Sequence, residues 1–156
     1  MRKKTGNTPM DAALDFLAPK QRTVLETELY LDEQNYGEFE VYQVIERLKE
    51  LGLLDDARYA GEFIRSRLAT KPVSRRKLRD QLLEHRIDRD AIESALLAVT
   101  DEIEQNNANQ IAEKFNRQLS SLEDEERRER VLRRLSSRGF EYETAQRAWE
   151  NVYAQQ

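Results

Sequence analysis

Three stretches of this 156-residue chain space their apolar residues alike. Leu78, Leu82, Ile87, Ile92 and Leu96 are separated by steps of 4, 5, 5 and 4. Val131, Leu135, Phe140, Ala145 and Trp149 repeat those four steps. Leu25, Leu29, Tyr36, Val41 and Ile45 give 4, 7, 5 and 4, the same pattern with two residues inserted before the tyrosine. A step of four is one helical turn, whereas a step of five breaks an apolar stripe. Each stretch therefore reads as a helix, a tight turn plugged by Tyr36, Ile87 or Phe140, and a second helix. Asn35 and Gly139, just before two of the plugs, are residue types that tolerate the left-handed conformation ending a helix. Arg86 has no such tolerance, so the spacing alone supports the middle turn.

A further helix is expected upstream of each pair. Its apolar stripes are Met10, Ala13, Leu14, Leu17; then Tyr59, Ala60, Phe63, Ile64; then Ile111, Ala112, Phe115, Leu119. Thr8-Pro9 supplies an N-cap residue followed by proline at the first helical position. Asp55 and Asp56 stand where carboxylates favour a helix start. The expected fold is all-α: three tandem three-helix repeats at 8–52, 53–103 and 104–153. Units so small bury little apolar surface alone, so neighbours are expected to stack into an elongated, curved array. Five glycines and three prolines are too few for the turns of a β-rich fold.

Charge is strongly segregated beneath a net −4. Residues 1–22 carry +3, 23–62 carry −8, 63–89 carry +6, 90–126 carry −8, 127–138 carry +5, and 139–156 carry −2. Such blocks either pair with one another as solvated helix faces or steer a partner that is itself charge-patterned. With no cysteine, no disulfide or thiolate site is available. No apolar run approaches the ~18 residues of a membrane span, and Met1-Arg2-Lys3-Lys4-Thr5-Gly6 lacks a leader's apolar stretch. A soluble cytoplasmic protein is the expectation.

Nothing in the chain reads as catalytic, cofactor-binding or metal-binding. Neither phosphate-cradling glycine motif is present, and no histidine pair stands at zinc spacing. The single histidine, His85, falls at a helix end, where a cation complements the dipole; that placement outweighs catalysis. Glu123-Asp124-Glu125-Glu126 more simply opens a helix than holds a metal, and Trp149 takes a core position of the repeat. The basic sets are more informative. One holds Arg65, Arg67, Lys71, Arg75, Arg76, Lys77, Arg79, Arg86 and Arg89; the other Arg127, Arg128, Arg130, Arg133, Arg134 and Arg138. In the second, Arg127, Arg130, Arg134 and Arg138 follow one helical face. Arginine dominates both, which suits planar contacts to phosphate or carboxylate. A nucleic acid or an acidic protein surface is the implied partner, bound without base reading.

Two stretches also carry a resemblance. Leu51-Gly52-Leu53-Leu54-Asp55-Asp56-Ala57-Arg58-Tyr59-Ala60, continued by Phe63-Ile64-Arg65-Ser66-Arg67, resembles the segment G-[YL]-L-D-D-x-R-[FY]-A-x-x-F-[IV]-x-S-R of the RecX family. Lys77-Leu78-Arg79-Asp80-Gln81-Leu82 is similar to its R-I-R-x-E-L, and Leu135-Ser136-Ser137-Arg138-Gly139-Phe140 to its L-x-x-R-G-[FY] turn. The likeness covers roughly residues 10–153. It implies three tandem three-helix repeats and a non-catalytic, cofactor-free regulator of the recombinase RecA. Such a regulator binds in the helical groove of the RecA filament, suppresses ATPase, strand-exchange and coprotease activities, and promotes filament disassembly. Two departures stand out. The family's K-G-x-G-P is here Lys71-Pro72-Val73-Ser74, without either glycine. The first repeat's middle helix, commonly basic in the family, is acidic here. Partner contact is therefore assigned to the second and third repeats, through Arg65, Arg67, Lys71, Arg75, Arg76, Lys77, Arg79, Arg127, Arg130, Arg134 and Arg138. The expected partner is the RecA filament, with single-stranded DNA touched within it or directly, no membrane, and a monomeric state. The alternative is a helical module that binds single-stranded DNA without RecA; a hydrolase or metal enzyme has only abundant carboxylates behind it.

Overall fold

The computed structural model describes residues 7–155; Met1-Arg2-Lys3-Lys4-Thr5-Gly6, read above as lacking a leader, lies outside them. Nine helices and no strand are found among the described residues. They are α1 (Pro9–Leu17), α2 (Val24–Glu33), α3 (Glu38–Glu50), α4 (Asp56–Thr70), α5 (Arg75–Glu84), α6 (Arg89–Leu96), α7 (Asp101–Gln118), α8 (Asp124–Ser137) and α9 (Tyr142–Tyr153). The chain is all-α and built of three-helix groups. It forms two compact units, one running through Glu62 and including Leu82–Ile92, the other Phe63–Gln81 with Glu93 onward. The division falls within α4, near the end of α5 and in the middle of α6.

Local chemistry sets the helix starts. Thr8 caps α1 and Thr23 caps α2, each in a reciprocal capping box with the side chain of Asp11 or Glu26. Asp55 accepts the Arg58 N–H at 3.0 Å and so caps α4. The acidic run opens α8, with Glu123 at its N-cap and Asp124, Glu125 and Glu126 in its first turn.

The repeat is more regular than the apolar residues suggest. Leu25 is 37% exposed and Leu29 only half-buried, whereas Thr27 and Leu31 are fully buried. The first stretch is thus Thr27, Leu31, Tyr36, Val41, Ile45, with steps of 4, 5, 5 and 4 and no insertion. Thr27 can occupy a core position because its hydroxyl donates to the Thr23 carbonyl at 2.9 Å, which leaves the methyl to pack. Each series then continues three residues on, to Leu48, Val99 and Val152, all buried. In α1 the stripe also shifts: Ala12 and Ala13 are buried, and Leu14 is 42% exposed.

All three plug turns adopt positive φ: 66° at Asn35, 64° at Arg86 and 91° at Gly139. The middle turn is therefore real and carries the backbone cost of a left-handed arginine, about 1–2 kcal/mol. The spacing was a better guide there than residue preference. At Gly139 the constraint is doubled, because a Cβ would overlap the Ser74 hydroxyl. That close approach lets the Ser74 N–H donate to the Arg138 carbonyl at 3.2 Å. It seats the α8–α9 turn against the start of α5, where the Ser74 hydroxyl accepts the Lys77 N–H at 3.1 Å.

Candidate functional site

The cations of α5 lie in two different settings. Arg75 donates to Asp101 at 2.8 Å and to the Val99 carbonyl at 3.2 Å, and its Nε lies 3.5 Å from Glu104. Its backbone N–H also donates to the Glu104 carboxylate at 3.1 Å. Burial raises the Glu104 pKa above the ordinary glutamate value, against the lowering effect of its hydrogen bonds and charge pairing with Arg75. One turn on, Arg79 grips Glu93 with two hydrogen bonds, and this pairing raises the guanidinium pKa. With exposed Arg76 these residues line a cavity of about 420 Å³ that also presents Glu93, Asp101, Glu104 and Glu141. Its charges largely cancel.

Lys77 faces the other setting. Arg67, Lys71, Lys77 and Arg138 line a recess of about 280 Å³ with Val73, Gln81 and Ser137, and no carboxylate is among the lining residues. Lys71 and Lys77 are exposed, and Arg67 stands 5.1 Å from the Phe63 ring centre. The Arg138 guanidinium donates to the Pro72 carbonyl at 3.2 Å and lies 5.7 Å from the Phe115 ring centre, so its position is fixed while its charge stays uncancelled. Pro72, which stands where the resembling motif has glycine, is thus an anchor for this arginine.

A second cavity, about 460 Å³, shares Lys71 and Arg138 and adds Lys114 and Arg117 of α7 over a floor of Pro72, Ile111 and Phe115. Arg117 also pairs with Glu113 at 3.1 Å on the exposed face of α7. Lys114 and Arg117 were not among the sequence candidates, because they are the only two basic residues in the acidic block 90–126. The positional signal belongs to Lys114, which stands three residues after Ile111 and so on a neighbouring position of the α7 face.

The remaining candidates divide between scaffold and surface. Arg127 is only 7% exposed; it donates to the Leu122 carbonyl at 2.9 Å and to Asp124 at 2.6 Å, and its guanidinium lies 5.9 Å from the Trp149 ring centre. It belongs to the core of the α7–α9 group beside Trp149. Arg130 pairs with Glu126 at 3.3 Å. Arg134 lies 5.0 Å from the Phe115 ring centre, and with Arg130 and Arg133 it lines a shallow recess beside Leu119 and Ser137. Arg65 is exposed on α4. The structure therefore brings Arg67, Lys71, Lys77 and Arg138 together, places Arg130 and Arg134 at a separate recess, and commits Arg75, Arg79 and Arg127 to internal partners.

His85 follows the last residue of α5, as its repeat position suggested. Its Nδ1 lies 3.1 Å from the Tyr59 hydroxyl and 3.5 Å from Glu26, and its carbonyl accepts the Thr23 hydroxyl at 2.8 Å. Nearby, Asp56 accepts the Val24 N–H at 3.0 Å, and burial raises its carboxyl pKa. These bonds tie the starts of α2 and α4 to the end of α5. Among the described residues no group of three histidine, cysteine or carboxylate side chains could hold a metal ion, and no helix is long and apolar enough to cross a membrane.

Residues 55–96 match the family model for the second three-helix domain of RecX, and residues 102–149 match that for the third. The Regulatory protein RecX of Mycobacterium ulcerans (strain Agy99) is 32% identical over 128 residues, covering 81% of this chain and 74% of the relative. That of Prosthecochloris aestuarii is 28% identical over 145 residues and covers 92% of both chains. The crystal structure of RecX from Lactobacillus salivarius superposes with a TM-score of 0.85 over 94% of this chain and 95% of that one, at 24% identity, which speaks for the fold.

Proposed function

This chain belongs to the RecX family of regulatory proteins, and from that premise we propose that it is a non-catalytic modulator of the RecA recombinase. In this reading it seats in the helical groove of the RecA filament on single-stranded DNA. There it lowers ATPase, strand-exchange and coprotease activity and promotes filament disassembly. The observation that carries the structural side of the proposal is the pair of neighbouring cavities around Lys71 and Arg138. Five cations converge on them with no carboxylate among their lining residues, and a sixth, Arg117, is shared with Glu113. Bringing like charges together is unfavourable unless a partner neutralises them, and the field they create draws an anionic partner in. A nucleoprotein filament offers both phosphates and acidic protein side chains. The partner-facing set is accordingly Arg67, Lys71, Lys77, Lys114 and Arg138; Arg130 and Arg134 line a separate recess, Arg76 lines the charge-balanced cavity, and Arg65 is an exposed candidate outside the set.

The test is RecA ATPase on single-stranded DNA, titrated with this protein. Turnover should fall at substoichiometric ratios, and no effect at any ratio would remove the proposal. The second reading, a single-stranded DNA-binding module independent of RecA, is favoured by the same uncancelled cations. It requires direct DNA affinity that drops steeply with added salt, as counterion release demands.

A further inference from the structure

The two cavities around Lys71 and Arg138 differ in floor. The smaller is polar and cationic apart from Val73. The larger has an apolar floor of Pro72, Ile111 and Phe115 beneath a rim of Lys71, Lys114, Arg117 and Arg138. A bare phosphate chain uses charge but gains nothing from such a floor. A nucleobase would need an open aromatic face to stack on. Phe115 offers none: the residue is 6% exposed, and Arg134, Arg138 and Lys114 already stand over its ring at 5.0, 5.7 and 6.0 Å. What suits an irregular apolar cleft rimmed by cations is an aliphatic or aromatic side chain flanked by carboxylates.

We infer that the larger cavity is a docking site for an acidic protein segment with one apolar side chain. The apolar residue sits against Pro72 and the edges of Ile111 and Phe115 that line the cavity, not on the covered ring face, and its neighbouring carboxylates pair with Lys71, Lys114 and Arg138. The smaller recess, through Lys77 and Arg67, extends the positive surface for further carboxylates of the same segment. Charge complementarity supplies orientation and on-rate, and the buried side chain supplies the anchor. The inference rests on the reading that the physiological partner includes a protein, and it identifies the chemistry of that partner's surface.

The test is fluorescence anisotropy with the full chain and three labelled probes: an end-capped acidic nonapeptide with a central phenylalanine, the same peptide with serine there, and oligo(dT) of nine nucleotides. The phenylalanine peptide should bind, the serine peptide should bind about tenfold more weakly, and Lys114→Glu should weaken the former about tenfold. Lys114 is exposed, and unchanged far-ultraviolet circular dichroism establishes that the variant is folded. Equal binding of the two peptides, indifference to Lys114→Glu, or binding of oligo(dT) alone would overturn the inference. RecA ATPase is measured on the same preparations. Inhibition without peptide binding defeats only the docking site, whereas absence of inhibition defeats the functional reading itself.

Discussion

Helix α5 separates its cations into two classes. On one side Arg75 and Arg79 meet Asp101, Glu104 and Glu93; on the other Lys77 joins Arg67, Lys71 and Arg138 where no carboxylate lines the recess. All of these cations except Arg138 come from the same +6 block of sequence. A segment's net charge therefore does not say where it binds. Pairing decides it: a neutralised guanidinium holds helices together, and an uncancelled one projects a field outward.

The comparison breaks most visibly at the most internal cation. Arg127→Glu should cost about 3–5 kcal/mol in chemical denaturation, because it removes the partner of Asp124 and the Leu122 carbonyl and leaves a buried carboxylate beside Trp149. On the neutralised side of α5, Arg75→Glu should cost about 2 kcal/mol by thermal or urea unfolding, since it sets a third carboxylate against Asp101 and Glu104. Wild-type stability in that variant would place Arg75 with the open cations instead.

On the open side, Lys71→Glu with Lys77→Glu should leave unfolding unchanged within about 0.5 kcal/mol, as expected for exposed residues without internal ion partners. Arg86→Gly should raise stability by about 0.5–1 kcal/mol, the relief of a left-handed arginine less the added freedom of the unfolded glycine. A loss there would mean that the Arg86 side chain does more than fill a turn.

The smallest effect concerns pH. The raised pKa of Glu104 means that the folded chain holds this proton where the unfolded chain has released it. Its contribution to stability therefore falls as pH rises from the unfolded value of 4.5 through the folded pKa. Glu104→Gln removes that term, so wild type should gain on the variant as pH is lowered through the same window. A difference independent of pH would show that Glu104 titrates alike in both states.

The helix-turn-helix pairs were legible because their apolar spacing is local, and the left-handed turn at Arg86 followed from spacing even against residue preference. Thr27 was hidden because a threonine whose hydroxyl bonds to its own helix behaves as an apolar residue while reading as polar. The division of the cations was not legible for a different reason. Arg79 and Glu93 are 14 residues apart, and Arg75 and Glu104 are 29 apart, so their pairing depends on how helices pack. Lys114 and Arg117 were obscured by averaging charge over an acidic block, although Lys114, one turn after Ile111, stands at the edge of the buried face of α7.

The most direct test of the account is a RecA ATPase titration on single-stranded DNA with wild type beside the Lys71→Glu/Lys77→Glu variant. Wild type should inhibit substoichiometrically, and the variant, equally folded by circular dichroism, should need at least about tenfold more protein. Superimposable titrations would contradict the account, because the uncancelled cations would then not be the surface through which this protein acts.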